Sequence, residues 1–391
     1  MELNNFCFMP WHGMAIAANG NIKPCCQWSG SLGKVESVNV ADTYINSKKI
    51  KELRQSFLKN EKNNGCRSCW TREEQIGKSR RTWFKEKFIN TESANNYVSN
   101  IENFQLKQID INLSNICNLK CRMCGSWASN SWFEEDLILS KINPKFEKES
   151  NKENLKIRQH TIEDLKSLIP YFKNLERIDF KGGEPMLAKN HVKFLQVLIN
   201  ENLHSKITLQ YTTNGTVINN NILDCLSKFK KVRIIFSIEG TKKLYSYIRG
   251  GNYTIEDLEK NISQYNSLKN VHIGFNVTIQ AYNLLNLLDL YNLLNNWQNK
   301  FINVSAQNSF TTICNSPMYL SPFVLPLDLR IQAKDKLKNI EDFNLLSNNL
   351  LNNKIHNLYW ETFKMFTCTL DKLRKENIKN IVPKIGSYIN E

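Results

Sequence analysis

No stretch of the 391 residues approaches the roughly 18 consecutive apolar residues that a membrane-spanning helix requires. The first residues, Met1-Glu2-Leu3-Asn4-Asn5, also lack the basic start of a secretory signal. Both absences predict a soluble chain that stays in the cytoplasm. Acidic residues are scarce beside basic ones, 37 against 52, which leaves a formal net charge of +15. Such a surplus favours an acidic partner, nucleic acid or an acidic peptide. No RNA-binding motif accompanies it, however, and much of the charge lies in lysine- and asparagine-rich stretches such as Lys141 to Arg158, which read as a solvated insertion. A nucleic-acid partner is therefore not expected. Histidine is rare, six in all, and only His12 lies close to a clustered cysteine, so it is assigned a structural role.

What the chain has is cysteine, 11 residues of it. In a reducing compartment the spacings C-x3-C-x2-C and C-x2-C read as metal ligands rather than disulfides. The run Cys117-Asn118-Leu119-Lys120-Cys121-Arg122-Met123-Cys124 follows an apolar, strand-like stretch. Three thiolates can hold three irons of a four-iron cube and leave the fourth open to a small molecule that brings its own donors. Zinc usually takes four N or S ligands in a structural site, and no fourth thiol or imidazole lies nearby in sequence. Further along, Ile178-Asp179-Phe180-Lys181 runs into Gly182-Gly183-Glu184-Pro185. Paired glycines let backbone approach a ligand closely, and a carboxylate at such a turn can accept hydrogen bonds from an ammonium group.

These two motifs together resemble those of the radical S-adenosylmethionine (radical SAM) enzymes. The resemblance implies that Cys117, Cys121 and Cys124 hold a catalytic 4Fe-4S cluster whose open iron is chelated by SAM. An electron from the cluster would then split the sulfonium to give a 5′-deoxyadenosyl radical that takes a hydrogen atom from substrate. It further implies that Gly182, Gly183, Glu184 and Pro185 bind the methionine part of SAM, with Glu184 on its amine, and that Met123 touches the adenine. Thr213-Asn214-Gly215 and Phe236-Ser237-Ile238-Glu239-Gly240 resemble the family's third and fourth strand ends. Asn214 would thus belong to the SAM site, and Ser237 and Arg249 would bind the ribose and carboxylate, a task suited to the forked guanidinium. Relatives often carry Asp where this chain has Glu239.

The first ninety or so residues hold a second constellation: Cys7, Gly20, Cys25-Cys26 and Cys66-Arg67-Ser68-Cys69. It resembles half of a SPASM domain, the shortened form called a twitch domain. The resemblance implies one auxiliary iron–sulfur cluster, of 4Fe-4S type, on Cys7, Cys25, Cys66 and Cys69. Cys26 is an alternative to Cys25, and a four-cysteine zinc site is an alternative to the cluster. Here the module precedes the barrel, whereas many such modules follow it. The charged run Glu73 to Arg81 behind it reads as a solvated helix start. Cys225, Cys314 and Cys368 read as buried small hydrophobes.

From about residue 105 strands alternate with helical patterns, which argues for parallel α/β architecture. Candidate strands are Leu106 to Leu113, Arg177 to Lys181, Ile207 to Thr213, Val232 to Ser237, Val271 to Val277 and Ile302 to Ala306. Helical stripes run through Leu284, Leu287, Leu288, Tyr291 and Leu294 and through Val192, Leu195 and Ile199. The family resemblance implies a partial (β/α)6 TIM-type barrel over 104–315, preceded by the twitch/SPASM-like domain over 1–92. Residues 316–391 are expected to be a helical extension packed on the barrel. In it Trp360, Phe363, Phe366, Leu370 and Leu373 share a stripe, and Asp371 and Arg374 are spaced for a surface ion pair. The expected substrate is a peptide, with a sugar or small metabolite as the alternative, and the reductant a flavodoxin or ferredoxin. From other classes, a non-catalytic iron–sulfur carrier or sensor and a zinc-stabilised RNA-binding protein also fit the cysteines.

Overall fold

The computed structural model describes residues 4–35, 44–45, 47–88, 97, 101–146, 155–305, 309–351 and 355–389. One unit comprises Met1–Ser114, Arg158–Tyr211 and Asn219–Arg233, the other Asn115–Ile157, Thr212–Ile218 and Ile234–Glu391. The chain crosses between them inside two strands, so neither unit is a continuous segment.

The first unit carries β1 (Gly13–Ile16), β2 (Asn21–Lys23), β3 (Gly33–Lys34), β4 (Gln108–Asn112), β5 (Arg177–Lys181), most of β6 (Thr208–Thr213) and the start of β7 (Lys231–Ser237). Their order in the sheet is β3-β2-β1-β4-β5-β6-β7. The three N-terminal strands pair antiparallel with one another, while β1 runs parallel to β4 with Gly13 beside Gln108 and Ile16 beside Ile111. The cysteine-bearing N-terminal region therefore shares a sheet with the first of the expected barrel strands. β4, β5 and β6 are parallel, as crossover connections require. Along β4, Ile109 and Ile111 alternate with Gln108 and Asp110, and all four are buried. One face of these strands is thus apolar and the other a buried polar layer. The helix His191–Asn200 turns Phe194, Leu195 and Leu198 fully inward, while Val192 and Ile199 are half-buried.

In the second unit the end of β7 neighbours β8 (Val271–Ile279), and β8 pairs parallel with β9 (Phe310–Ile313). The strand expected at Ile302 to Ala306 does not form over the described residues of that stretch. Only an isolated bridge, Ile273 to Val304, remains there, and Ile302 is 91% exposed. The Asn303 side chain donates to the carbonyls of Asn266 (2.9 Å) and Leu268 (3.0 Å), at the end of the helix Ile255–Asn266, while the backbone of the stretch meets β8 through the Ile273 amide on the Asn303 carbonyl (2.8 Å) and the Ser305 amide on the Ile273 carbonyl (3.1 Å). Ala306 lies outside the described residues, as do 147–154 of the Lys141 to Arg158 stretch. The helix Leu287–Lys300 buries Leu287, Leu290 and Trp297; Leu288, Tyr291 and Leu294 are half-buried.

The helix His356–Arg374 buries Phe363, Phe366 and Leu370 completely. Asp371 and Arg374 do not pair with each other at its surface. Asp371 accepts from Arg122 (2.6 Å) and Arg374 reaches Glu135 (2.6 Å), because both are turned inward, where a buried charge needs its own partner. Cys225 and Cys314 are buried as expected, but Cys368 is exposed, on the outer side of this helix. His12 is buried and bonded to Tyr97 Oη (2.6 Å) and the Gln105 carbonyl (3.0 Å), a structural pairing. No helix among the described residues is long and apolar enough to cross a membrane.

Candidate functional site

The loop of Cys117, Cys121 and Cys124 lies in the second unit and is shaped by hydrogen bonds to its backbone. Cys117 N–H donates to Asn130 Oδ1 (2.9 Å), Ser131 donates to the Cys117 carbonyl (2.7 Å) and Ser129 to that of Leu119 (2.7 Å). The indole of Trp132 donates to the Cys121 carbonyl (3.1 Å), and the amides of Lys120 and Arg122 donate to Gly250 and Ile248. These bonds are made to the backbone of the loop, and Cys124 Sγ lies 3.9 Å from the Gly125 carbonyl. Cys121 is buried, which pushes its thiol up, while Cys117 and Cys124 are half-buried.

Around this loop stand other residues expected in the site. Asn214 Nδ2 lies 3.7 Å from Cys117 Sγ and donates to Asn118 Oδ1 (3.0 Å). Arg249 is buried and pairs with Glu239 at 3.1 Å. Burial alone would lower the Arg249 guanidinium, but Cys121 and Glu239 beside it raise it, whereas burial pushes Glu239 up against the pull of Arg249. The position where relatives often have Asp is thus a counter-charge for Arg249. Ser237 is buried at the end of β7, and Met123 is half-buried in the loop.

The Gly182–Pro185 turn belongs to the first unit. Gly182 sits at φ +84°, and a Cβ there would come 2.7 Å from the Ser114 carbonyl and 2.8 Å from Asn112 Cβ. Glycine is the residue that fits. Gly182→Ala is expected to cost about 1–3 kcal/mol of stability, the range of a non-glycine residue forced into such a conformation; a urea midpoint equal to that of the parent would contradict this. Gly183 is half-buried. Glu184 is fully buried, with Oε1 accepting from the Met186 amide (3.1 Å). The carbonyl of Pro185 meets His191 Nδ1 (2.9 Å), whose Nε2 meets Tyr211 Oη (2.9 Å). Burial pushes His191 down to about 4, so it is a neutral brace for the turn. Nothing in the local sequence marked His191, which lies six residues on inside an apolar helix.

The second cysteine set is brought together. Cys7, Cys25, Cys66 and Cys69 line one cavity with Trp28, Arg80 and Arg81 among its walls, and about 310 Å³ of empty space counted to its open mouth. Cys26 is not among the lining residues; its sulfur lies 3.7 Å from Lys181 Nζ. Cys7 precedes the helix Met9–His12, Cys25 follows β2, Cys66 closes a 3-10 turn, and Cys69 sits in the first turn of the helix Arg67–Ile76. Burial, and next the neighbouring thiols, push Cys7 and Cys66 up; burial also dominates at Cys25 and Cys69.

The walls fit a sulfur-rich group. Four soft thiols converge, with no carboxylate or imidazole among the described residues that line the cavity. Two wall donors, Trp28 Nε1 and Arg80 Nε, are buried without a hydrogen-bond partner among the described residues. Among the described residues no three His, Cys, Asp or Glu side chains stand close enough to share a single ion. Thiolates on a cube bind separate irons and stand farther apart than those on one zinc, so the spread of these cysteines around a cavity is compatible with a cluster. The charged run Glu73 to Arg81, expected to be solvated, is partly internal. Arg81 donates to the Asn4 (2.7 Å) and Phe6 (3.2 Å) carbonyls, pairs with Glu73 and lies 4.6 Å from the Trp70 ring centre, pinning the segment that leads into Cys7.

The chain is 26% identical over 178 residues to the radical SAM cyclopropyl synthase TigE of Paramaledivibacter caminithermalis, covering 44% of this chain and 35% of that protein. Identity is also 26% over 186 residues to an uncharacterized protein of Methanocaldococcus jannaschii, 46% of this chain and 54% of the other. The chain thus spans about a third to about half the length of the curated relatives it matches. Among solved structures, anSMEcpe with bound AdoMet is similar at 20% identity over 61% of each chain, with a TM-score of 0.44. A family model for the radical SAM superfamily matches residues 111–293, and one for the SPASM iron-sulfur cluster-binding domain matches residues 7–70. The first match implies a 4Fe-4S cluster and SAM, the second an auxiliary iron–sulfur cluster. The chain thus carries a radical SAM superfamily domain over residues 111–293, with a SPASM-type iron-sulfur cluster-binding domain ahead of it over residues 7–70.

Proposed function

We propose that this protein is a radical SAM enzyme that modifies a peptide in the cytoplasm, using one catalytic and one auxiliary cluster. The observation that carries the proposal is the C-x3-C-x2-C loop, whose backbone is fixed by Asn130, Ser129, Ser131 and Trp132. Cys117, Cys121 and Cys124 hold the catalytic cluster. Gly182 and Gly183 let backbone approach SAM, Glu184 and Pro185 form the turn that receives its methionine amine, and Met123 and Asn214 border the adenosine. Ser237 takes the ribose and Arg249 the carboxylate, with Glu239 fixing the guanidinium. When loaded, the cluster and SAM supply one-electron cleavage of the sulfonium and hydrogen-atom abstraction from substrate.

Segment 1–92 carries the auxiliary site on Cys7, Cys25, Cys66 and Cys69, segment 104–315 the catalytic barrel, and segment 316–391 packs against it. Cys25 is preferred to Cys26 because it lines the cavity shared by the other three. The pairing of a SPASM-type module with a radical SAM domain supports a peptide substrate, since such auxiliary clusters bind substrate or accept the electron left after bond formation. A flavodoxin or ferredoxin would supply the reducing electron.

The test is oxygen-free purification and reconstitution, followed by assay of iron, sulfide and zinc per chain and of 5′-deoxyadenosine formed from SAM after reduction. About eight irons with deoxyadenosine formation is expected from two four-iron clusters. Zinc with no SAM cleavage under verified reducing conditions would sink the proposal.

A further inference from the structure

The four-cysteine cavity has a charged wall that the cysteine spacing does not require. Asp110 and Asp179 lie side by side on β4 and β5, and they are 1% and 0% exposed. Adjacent buried carboxylates cannot both ionise without cations. Arg80 supplies one: its Nη2 lies 2.8 Å from both oxygens of Asp110 and 3.6 Å from Asp179. Lys181 Nζ reaches Asp110 at 3.0 Å, and Arg177 clasps Asp179. Burial alone would raise Asp110, but Arg80 and Lys181 hold it well below the usual carboxylate range. Three cations facing two carboxylates leave positive charge in excess.

That excess borders the thiols. Arg80 lines the cavity of Cys7, Cys25, Cys66 and Cys69, and its Nε–H is buried without an acceptor among the described residues. Trp28 Nε1–H, in the same wall, is likewise unpartnered. A buried donor lacking an acceptor costs free energy unless something else in the site accepts its bond. Sulfurs of a cluster would be such acceptors, and hydrogen bonds to sulfur together with nearby charge set the potentials of these clusters. Each electron taken up adds negative charge, which a neighbouring guanidinium stabilises more strongly in a low dielectric.

We propose that Arg80, fixed by Asp110 and Asp179, is a positioning and charge-compensating residue that raises the reduction potential of the auxiliary cluster, with Trp28 as a second donor to its sulfurs. The inference rests on the N-terminal site holding iron and sulfide. Lys181, the residue before Gly182, also donates to Cys26, so the same carboxylate pair joins the module to the strand that leads into the glycine turn.

The test uses the full-length chain carrying Cys117→Ala, Cys121→Ala and Cys124→Ala, so that the auxiliary cluster alone gives the electron paramagnetic resonance signal followed in a redox titration. Arg80→Met is expected to lower the reduced-to-oxidised ratio at fixed potential at least tenfold, about 59 mV for a one-electron couple. Trp28→Phe should shift it the same way by less, Arg80→Lys, which keeps the charge but loses the Nε–H donor, should shift it no further than Trp28→Phe, and the exposed-position control Lys78→Gln should match the parent. Arg80→Met with full iron and the parental potential would overturn the inference, as would an equal shift in Lys78→Gln. Should Arg80→Met fail to load iron, Arg80→Lys decides. Parental iron loading there, with the potential lowered no further than in Trp28→Phe, supports the charge requirement, and loss of iron or a tenfold or larger fall in the ratio overturns it. A parent that binds zinc instead of iron fails the proposed function itself, before any potential is measured.

Discussion

Replacing Cys117, Cys121 and Cys124 together with alanine is expected to take 5′-deoxyadenosine formation to background while leaving the iron of the N-terminal site in place. The loop owes its shape to contacts that alanine keeps. Cys117 is held through its amide and carbonyl and Cys121 through its carbonyl, and the supporting side chains come from Asn130, Ser131 and Trp132. Losing three sulfurs therefore removes the donors of one cluster rather than the fold around them. The four cysteines of the other cavity belong to a different unit of the chain and share no residue with this loop. Iron should fall by about half, from the expected two four-iron clusters. Loss of all iron would count against two separate sites, and persistent SAM cleavage against the catalytic assignment.

Arg122→Ala is expected to destabilise the protein by about 3–5 kcal/mol, the usual cost of breaking a buried ion pair from one side. Arg122 lies inside the cysteine motif yet its side chain is 0% exposed. It donates to Asp371 (2.6 Å), Glu376 (2.5 Å) and the Tyr247 carbonyl (3.0 Å), and its guanidinium stacks 3.6 Å from the Tyr247 ring centre. Tyr247 Oη donates to the same Asp371 oxygen (2.8 Å). Alanine would strand Asp371 and unfasten the helix His356–Arg374 from the loop. Arg122→Lys should recover only part of the loss, because an ammonium cannot both stack and fork between two carboxylates. Urea denaturation checks both variants. A change within about 0.5 kcal/mol for Arg122→Ala, the scale of an ordinary surface substitution, would show that the clasp carries no weight.

The sequence made the strands from 106 to 279 legible because their apolar runs end in turn residues, as at Lys181-Gly182 and Thr213-Asn214-Gly215. It misled at Ile302 to Ala306, where the apolar residues are right for a strand but the Asn303 side chain is held by the Asn266 and Leu268 carbonyls, 37 and 35 residues earlier in the chain, which no local pattern reveals. β1 was missed because Gly-Met-Ala-Ile is too short to show a period, and its partner β4 lies more than ninety residues away. Cys7, Cys25, Cys66 and Cys69 could be grouped by resemblance, and their convergence on a cavity agrees with that grouping. The arginines could not be read in this way. Arg80, Arg122 and Arg374 look like ordinary surface charge, and only the fold discloses that each has a buried carboxylate waiting. A carboxylate such as Asp110 or Asp179 inside an apolar strand was the available sign, since a buried charge demands a partner from elsewhere in the chain.

The parallel pairing of β1 with β4 bears on how such a protein can change over evolutionary time. A module joined by a linker can be lost, moved or exchanged without disturbing its neighbour. Here the leading segment supplies a rung, and deleting it would bare the row of amides and carbonyls along β4 as an open edge, the kind of surface that recruits strands from other chains. The cysteine-rich leader and the strand behind it are therefore bound to be inherited together, and a version of this chain without its leader would need a new strand or a covering helix in the same place.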